Sequence, residues 1–375
     1  MAGARRGRHE GSIYQRADGR WVAQFRDQQT GKRKYLYGQR RADVARKLAA
    51  ALHAQEQGIP ATDERLTVAE FLRRWLAAVQ PSLKAKTYEG YESIVRVRIA
   101  PRIGAKRLNR LSPLDLHELY AGLQADGLSA RSVRHTHRVL KRAFRHAVQW
   151  GLLGRNPCDA VTPPSPVRRE FRTLSRDETQ RLLEATRDHP MHALYVLAVT
   201  TGMRQGELLG LRWEDIDWQR STVTVKRALQ RQRGHGLAFV TPKTSRSRRT
   251  IHLSERAILT LRAHRARQAE IRLAAGAAWS DHGLVFTNET GGPLDPSWQT
   301  HTFKAVLRRA DLPPIRFHDL RHTAATLLLA EGVHPKIVSE MLGHATITIT
   351  LDLYSHVVPA MHAHAAAVMD SILTA

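Results

Sequence analysis

Residues 316–354 hold a group of side chains whose types and spacing suit one kind of chemistry. Arg316-Phe317-His318-Asp319-Leu320-Arg321-His322-Thr323 is followed by Leu342-Gly343-His344 and then by Tyr354. On a helix, His318 and Arg321 share a face. The set suits gripping a phosphate while a phenolic oxygen attacks it. Breaking a phosphodiester needs a nucleophile, charge stabilisation on the non-bridging oxygens, and an acid for the leaving oxygen. Arginine fits the second task, because its planar fork binds phosphate oxygens in pairs and stays charged. Two forks are needed around a pentacoordinate phosphorus, and Arg204 and Arg321 are the candidates. Glu207 lies one turn beyond Arg204 and is placed to orient it. Either arginine alone is as readily a surface residue or half of a structural ion pair.

Beyond residue 174 the tyrosines are Tyr195 and Tyr354. Tyr195 lies in an apolar run and reads as core; Tyr354 sits in the more polar Thr350-Leu351-Asp352-Leu353-Tyr354-Ser355-His356. A phenol of pKa about 10 must lose its proton as it attacks. His318 and His344 are the available bases or hydrogen-bond donors. Lys243, alone among lysines between Lys226 and Lys304, is the natural acid for a leaving 5′-oxygen. The plain alternative is that Lys243 merely opens a basic patch with Arg246, Arg248 and Arg249. A tyrosyl ester would conserve the phosphodiester bond energy, so rejoining would need neither ATP nor metal, and no cofactor is expected. His318-Asp319-Leu320-Arg321-His322 also resembles a helical two-His zinc motif. Asp is short for the base, an Arg would sit beside the cation, and no third ligand is clearly placed, so no metal site is assigned.

The chain carries Lys+Arg 59 against Asp+Glu 34, a net charge of +25 over 375 residues. The excess is spread: residues 1–60 hold 13 basic against 5 acidic side chains, and residues 61–160 hold 18 against 9. Such a field favours a polyanion. Cys158 is the single cysteine, so there is no disulfide framework. The start of the chain is polar and basic rather than signal-like. No apolar stretch reaches the roughly 20 residues needed to span a bilayer. A cytosolic, DNA-associated protein without membrane contact is expected.

The elements that must position these groups read as α+β, mainly α with small sheets. Three strands over Ser12–Gln15, Trp21–Arg26 and 34–37, with a helix over 40–57, form a small module. Arg16, Arg20, Arg26, Lys32, Arg33 and Lys34 crowd that sheet and point to DNA. Four helices follow: Val68–Val79 with a capping box at Thr67 and Glu70, 87–99 closed by Pro101, one opening at Ser112-Pro113, and one from Ser129 to about Trp150. The fourth carries Arg131, Arg134, Arg138, Lys141 and Arg142 without interleaved acids, a stripe suited to phosphates. The domains expected are 1–58, 62–155 and 171–375, with a proline-rich linker over 156–170. Strands at 222–226, 238–240 and 250–253 and a run of helices complete the last domain.

Taken together, the motifs resemble the tyrosine recombinases of the phage and integrative-element type. Thr201-Gly202-Met203-Arg204-Gln205-Gly206-Glu207-Leu208-Leu209-Gly210-Leu211-Arg212-Trp213 resembles the family's first arginine box, and His318-Asp319-Leu320-Arg321-His322-Thr323 its second. Leu342-Gly343-His344 and Asp352-Leu353-Tyr354-Ser355-His356 resemble the last His and the nucleophile, and Thr241-Pro242-Lys243-Thr244, more loosely, the hairpin lysine. The resemblance implies an integrase in which Tyr354 forms a 3′-phosphotyrosyl bond and Arg204 and Arg321 clamp the phosphate. It makes Lys243 the acid, gives His318 the tyrosine proton and His344 a phosphate hydrogen bond, and makes Glu207 a support. It also implies double-stranded attachment-site DNA as partner, arm-site binding by residues 1–58, a tetramer on DNA with exchange of a helix over 360–372, a host DNA-bending protein and an excision factor. A type IB topoisomerase, a dimer-resolving recombinase and a catalytically idle DNA-binding protein are the rival readings.

Overall fold

The computed structural model describes residues 11–26, 31, 33–56, 65–166, 172–232, 234, 236–241, 248–344, 346–354, 366, 369, 370, 372 and 373. Within 33–56 and 346–354, the side chains of 50, 53–56 and 352–354 lie outside the described set. The chain divides into two compact units, Met1–Arg168 and Arg169–Ala375.

The first unit opens with strands β1 (Ser12–Gln15), β2 (Trp21–Arg26) and β3 (Arg33–Gly38), an antiparallel sheet in that order. Helix α1 (Arg41–Glu56) covers one face, where Ala23, Phe25, Val44 and Leu48 form a small core. Opposed residues of paired strands share a face. The rows Ser12–Gln24–Tyr35, Tyr14–Val22–Tyr37 and Arg26–Arg33 therefore make up the face away from the helix.

A separate core gathers α2 (Val68–Val79), α3 (Ala85–Ile94), α4 (Ala100–Ile103), α5 (Pro113–Ala125) and α6 (Ala130–Gln149). Helix α6 buries Val133, Thr136, Leu140, Ala143, Phe144 and Ala147, a spacing of three and four that selects one face. Ser112 and Asp115 close a full capping box on α5, a device worth about 1 kcal/mol.

Three elements of this unit differ from what the sequence predicts. The Thr67 hydroxyl accepts from Glu70 N, but the Glu70 carboxylate pairs with Arg74, so the box is half made. Pro101 does not end its helix. A wider π turn over Val95–Ile99 links α3 to α4, and Ala100 N reaches back to Val95 O. A widened turn displaces the ladder in which the missing proline N–H would be counted. Residues 156–161 belong to the helical core rather than to a linker. Asn156 caps a short 3-10 turn over Pro157–Ala160, and Cys158 and Val161 are buried.

The second unit is built on α8 (His192–Thr201), which is buried along almost its whole length, after α7 (Arg176–Ala185). It continues through α9 (Gln205–Leu209), β4 (Ile216–Asp217), β5 (Thr222–Thr224), β6 (Ala228–Gln232), β7 (Gly236–Val240) and β8 (Thr250–His252). Helices α10 (Glu255–Ala275), α11 (Pro296–Arg309), α12 (Asp319–Ala330), α13 (Pro335–Leu342) and α14 (Ile347–Tyr354) follow. Helices α10 and α12 lie against α8. Strands β4, β5 and β8 form one antiparallel sheet and β6–β7 a separate hairpin. Strand β6 has no counterpart in the sequence reading. Strand β7 pairs with β6 and β8 with β5, so the strands on either side of the basic run belong to two different sheets. The helix expected over 360–372 falls almost wholly outside the described residues. Among the described residues no helix is long and apolar enough to cross a membrane.

Candidate active site

The end of α8 is the hinge point of the site. Gly202 caps α8 with φ of +60°, the left-handed region that a glycine enters without strain. A Cβ there would lie 2.5 Å from Leu342 Cδ2, so the turn sits directly against the end of α13. Arg321, in the first turn of α12, is buried and donates from Nη1 to Gly202 O at 2.8 Å. Two residues further on, Arg204 precedes α9. Glycines 206 and 210 let β6 approach α9 closely, since a Cβ on Gly206 would stand 2.7 Å from Leu229 O. One glycine turn thus places both candidate arginines.

Glu207 braces Arg204 twice. It accepts from Arg204 N at 2.9 Å and from Arg204 Nη1 at 2.7 Å. The Arg204 side chain is still 40% exposed while that of Glu207 is 5% exposed. Burial alone would push the Glu207 carboxyl up. The hydrogen bonds and charge of Arg249, then the charge of Arg204, outweigh it and hold Glu207 below the usual carboxylate range.

His318 stands at the N-cap of α12 with its ring 5.2 Å from that of His322. Desolvation, and then the Arg321 charge, hold the His318 imidazole below its ordinary pKa. His322 is buried and lowered to about 4, by burial first and by His318 next. His344 follows Gly343, which closes α13 in the left-handed region. Its Nδ1 lies 2.8 Å from Thr350 Oγ1 on α14. Burial, and then the charges of Arg321, Arg204 and Arg249 among its neighbours, lower His344 to about 4. Neutral imidazoles beside fixed guanidiniums are what a phosphate needs: donors and bases that add no competing protonation.

The zinc-like reading of 318–322 meets a specific obstacle. The Asp319 carboxylate accepts from Arg316 N at 2.8 Å and from Arg316 Nη2 at 2.7 Å. It is already taken up within its own turn by the Arg316 guanidinium and backbone N–H. Tyr195 is core, fully buried between Phe303 and Phe317. Tyr354 closes α14, four residues after buried Thr350; its side chain lies outside the described residues. Lys243, Arg246 and Lys32 also lie outside them.

The remaining candidates divide. Arg16 and Arg20 flank the exposed β1–β2 turn, and Arg26 and Arg33 lie on the sheet face away from α1. Lys34 sits opposite Phe25 on the helix-bearing face and is half-buried. Arg131, Arg134 and Arg138 are exposed along α6. Lys141 pairs with Asp159 at 2.9 Å, and Arg142 lies 5.7 Å from the Tyr91 ring centre and bonds its hydroxyl. Arg248 is exposed. Arg249 departs from the sequence reading. Its side chain is 7% exposed and is paired with Glu207, so it is no part of a solvent-facing patch. A buried carboxylate outcompetes water for a guanidinium. Sequence reasoning also missed Thr350, although its spacing of four from Tyr354 puts both on one helix face.

Residues 172–361 match the phage integrase family, and residues 67–124 match the N-terminal SAM-like domain of phage integrases. A tyrosine recombinase XerC-like protein of Caldanaerobacter subterraneus subsp. tengcongensis is 33% identical over 91% of this chain and 92% of its own length. An integrase of Streptomyces ambofaciens is 29% identical over 98% of this chain and 97% of its own. The fold is shared with the Tn1549 transposon integrase solved with a circular intermediate DNA, at a TM-score of 0.68 and 22% identity over 77% of this chain and 95% of that one. The chain belongs to the phage integrase family. It is a tyrosine recombinase of the integrase type, an enzyme that cleaves and rejoins DNA in the site-specific recombination of mobile elements.

Proposed function

We propose that Tyr354 is the nucleophile and that the turn at Gly202 builds the phosphate clamp. As the Tyr354 oxygen bonds to phosphorus, the bond to the 5′-oxygen breaks. A 3′-phosphotyrosyl ester remains and a 5′-hydroxyl is freed. Arg204 and Arg321 carry the charge on the non-bridging oxygens. His318 takes the phenolic proton, His344 donates to a phosphate oxygen, and Lys243 protonates the leaving oxygen. Attack by a 5′-hydroxyl of the partner strand reverses each step. Bond energy is conserved in the ester, so the cycle consumes no ATP and needs no metal.

The observation that carries this reading is a braced, outward-facing Arg204 on the same turn that holds the Arg321 guanidinium. An orientation fixed before substrate arrives costs no reorganisation at the transition state, and one such donor is worth on the order of 3 kcal/mol.

DNA is engaged in three places on this reading. Residues 1–58 take arm sites through the face bearing Arg26 and Arg33. Arg131, Arg134 and Arg138 take core-site phosphates, with Arg248 and Arg246 beside the scissile step. Residues 62–155 form the core-binding domain and 171–375 the catalytic one. A tetramer assembles on two attachment sites in the cytoplasm, with a host bending protein and an excision factor as helpers. The lambda integrase, whose fold this chain shares, has been solved as a tetramer bound to a Holliday junction.

The deciding experiment incubates purified protein with DNA flanking its own gene in EDTA and quenches with detergent. A covalent 3′ adduct in the wild type that is absent from Tyr354→Phe is expected. Cleavage only after metal is restored would overturn the reading in favour of a nuclease.

A further inference from the structure

Arg249 is the one member of the basic run 246–249 that faces inward among the described residues. It precedes β8, and its carbonyl is fixed by Val225 N at 2.9 Å. From that anchored backbone the guanidinium spends its fork in two directions. Nη2 meets Glu207 Oε2 at 2.8 Å and Nη1 meets Glu207 Oε1 at 3.3 Å. Nε donates to Met341 O at 2.6 Å. Met341 lies one residue before the end of α13, two before the left-handed Gly343 and three before His344. One side chain therefore touches the brace of the first arginine and the turn that presents the last histidine.

Charge counting gives this position a meaning. A buried carboxylate paired with Arg204 alone forms a neutral couple, and a neutral couple stabilises a developing phosphorane poorly. With a second buried guanidinium on Glu207, the group of three carries a net positive charge. The exposures decide where that charge points: the Arg204 side chain is 40% exposed, whereas that of Arg249 is 7% exposed. Arg204 is thus the one turned outward, and Arg249 lies behind it.

We propose that Arg249 is a positioning residue for cleavage: it takes up the Glu207 carboxylate so that Arg204 keeps its charge for the scissile phosphate, and it holds the Met341 carbonyl so that His344 is presented in register. The role rests on the assignment of Arg204 to the phosphate made above. Lysine cannot replace it, because a single ammonium lacks the planar fork that serves a carboxylate and a carbonyl in different directions. The lowered pKa of His344, to which the Arg249 charge contributes, agrees with a guanidinium close to both groups.

The test uses the full chain and the core site located by the adduct experiment. Single-turnover adduct formation is measured on two DNAs, one with a normal scissile phosphate and one with a methylphosphonate there. The phosphonate is uncharged before attack and carries one negative charge fewer than the phosphate in the pentacoordinate state, so it asks less of the cations around it. Arg249→Gln should slow cleavage by about a hundredfold on phosphate and at least tenfold less on the phosphonate. Arg249→Lys, which keeps the charge inside the fold, should bind DNA as the wild type does and melt near it. It should still cleave more slowly by about tenfold, with the defect in the maximal rate rather than in apparent affinity. Equal losses on both DNAs would overturn the proposal and reduce Arg249 to a structural counter-ion. In the Glu207→Gln, Arg249→Gln pair no carboxylate draws on the Arg204 charge, so part of the lost rate on phosphate should return; no recovery at all would also overturn the proposal. If wild-type protein makes no tyrosyl adduct on either DNA, the assignment of Arg204 and Tyr354 falls first, and this role with it.

Discussion

Thr350 Oγ1 lies 2.8 Å from His344 Nδ1, joining the helix that ends in Tyr354 to the histidine that follows α13. Thr350 is wholly buried, so its hydroxyl has no water to turn to. A bond at Nδ1 leaves Nε2 as the nitrogen free to address a phosphate, and the partner at one ring nitrogen selects the role of the other. The contact therefore orients His344 and ties it to α14.

Thr350→Val should keep the volume and lose the bond. Adduct formation is expected to fall about tenfold, the equivalent of roughly 1.4 kcal/mol, with core-site binding unchanged. Thr350→Ser should restore most of the rate. A valine variant as fast as wild type in a single-turnover assay would remove the bond from the mechanism.

The histidines set a pH dependence of stability. His322 and His344 are both held at about 4 in the folded chain, against an ordinary value of about 6.5 when unfolded. Between those values the unfolded chain binds more protons, so stability rises with pH. It should be fully present above about 7 and decline as pH falls towards 4. Urea unfolding of the catalytic unit across that window should show the slope, and His344→Gln should flatten it. A slope unchanged in that variant would mean that His344 is not held neutral.

Gly206 has a backbone oxygen where a side chain would be, with Leu229 O only 2.7 Å from an added Cβ. A carbonyl in a hairpin cannot swing aside as a side-chain end can. Gly206→Ala should push β6 off α9, cost about 1–3 kcal/mol and displace Glu207 with it. Thermal melting reads the first effect and adduct yield the second. An alanine variant with wild-type melting and rate would show that the hairpin yields.

On the N-terminal sheet, Tyr14, Tyr35 and Tyr37 are 41%, 44% and 50% exposed on the face that also carries Arg33. Rings left in water on a basic face fit contact with nucleic acid better than folding. Arg33→Gln should weaken arm-site binding and reduce the salt slope by about one, leaving core-site cleavage intact. Removing residues 1–58 should likewise spare cleavage and cripple integrative recombination. Undiminished recombination by the truncated chain would end the arm-site assignment.

The local signals were strong where chemistry and secondary structure depend on near neighbours in the chain. Arg204 with Glu207, His318 with Arg321 and the period of α6 were all legible, because each rests on residues three or four apart. What the sequence could not supply were relations across long separations. Arg249 reads as one more arginine in a basic run until β8 is set beside β5 and its guanidinium meets a carboxylate 42 residues away. Pro101 reads as a stop until a π turn relieves it. Lys34 reads as one of a basic cluster until the register with Phe25 turns it to the helix. By itself the sequence determined the kind of chemistry, since side-chain type and local spacing carry that. Only the tertiary structure decided which cation is turned outward and which is buried behind it, because burial and charge pairing arise when distant segments pack.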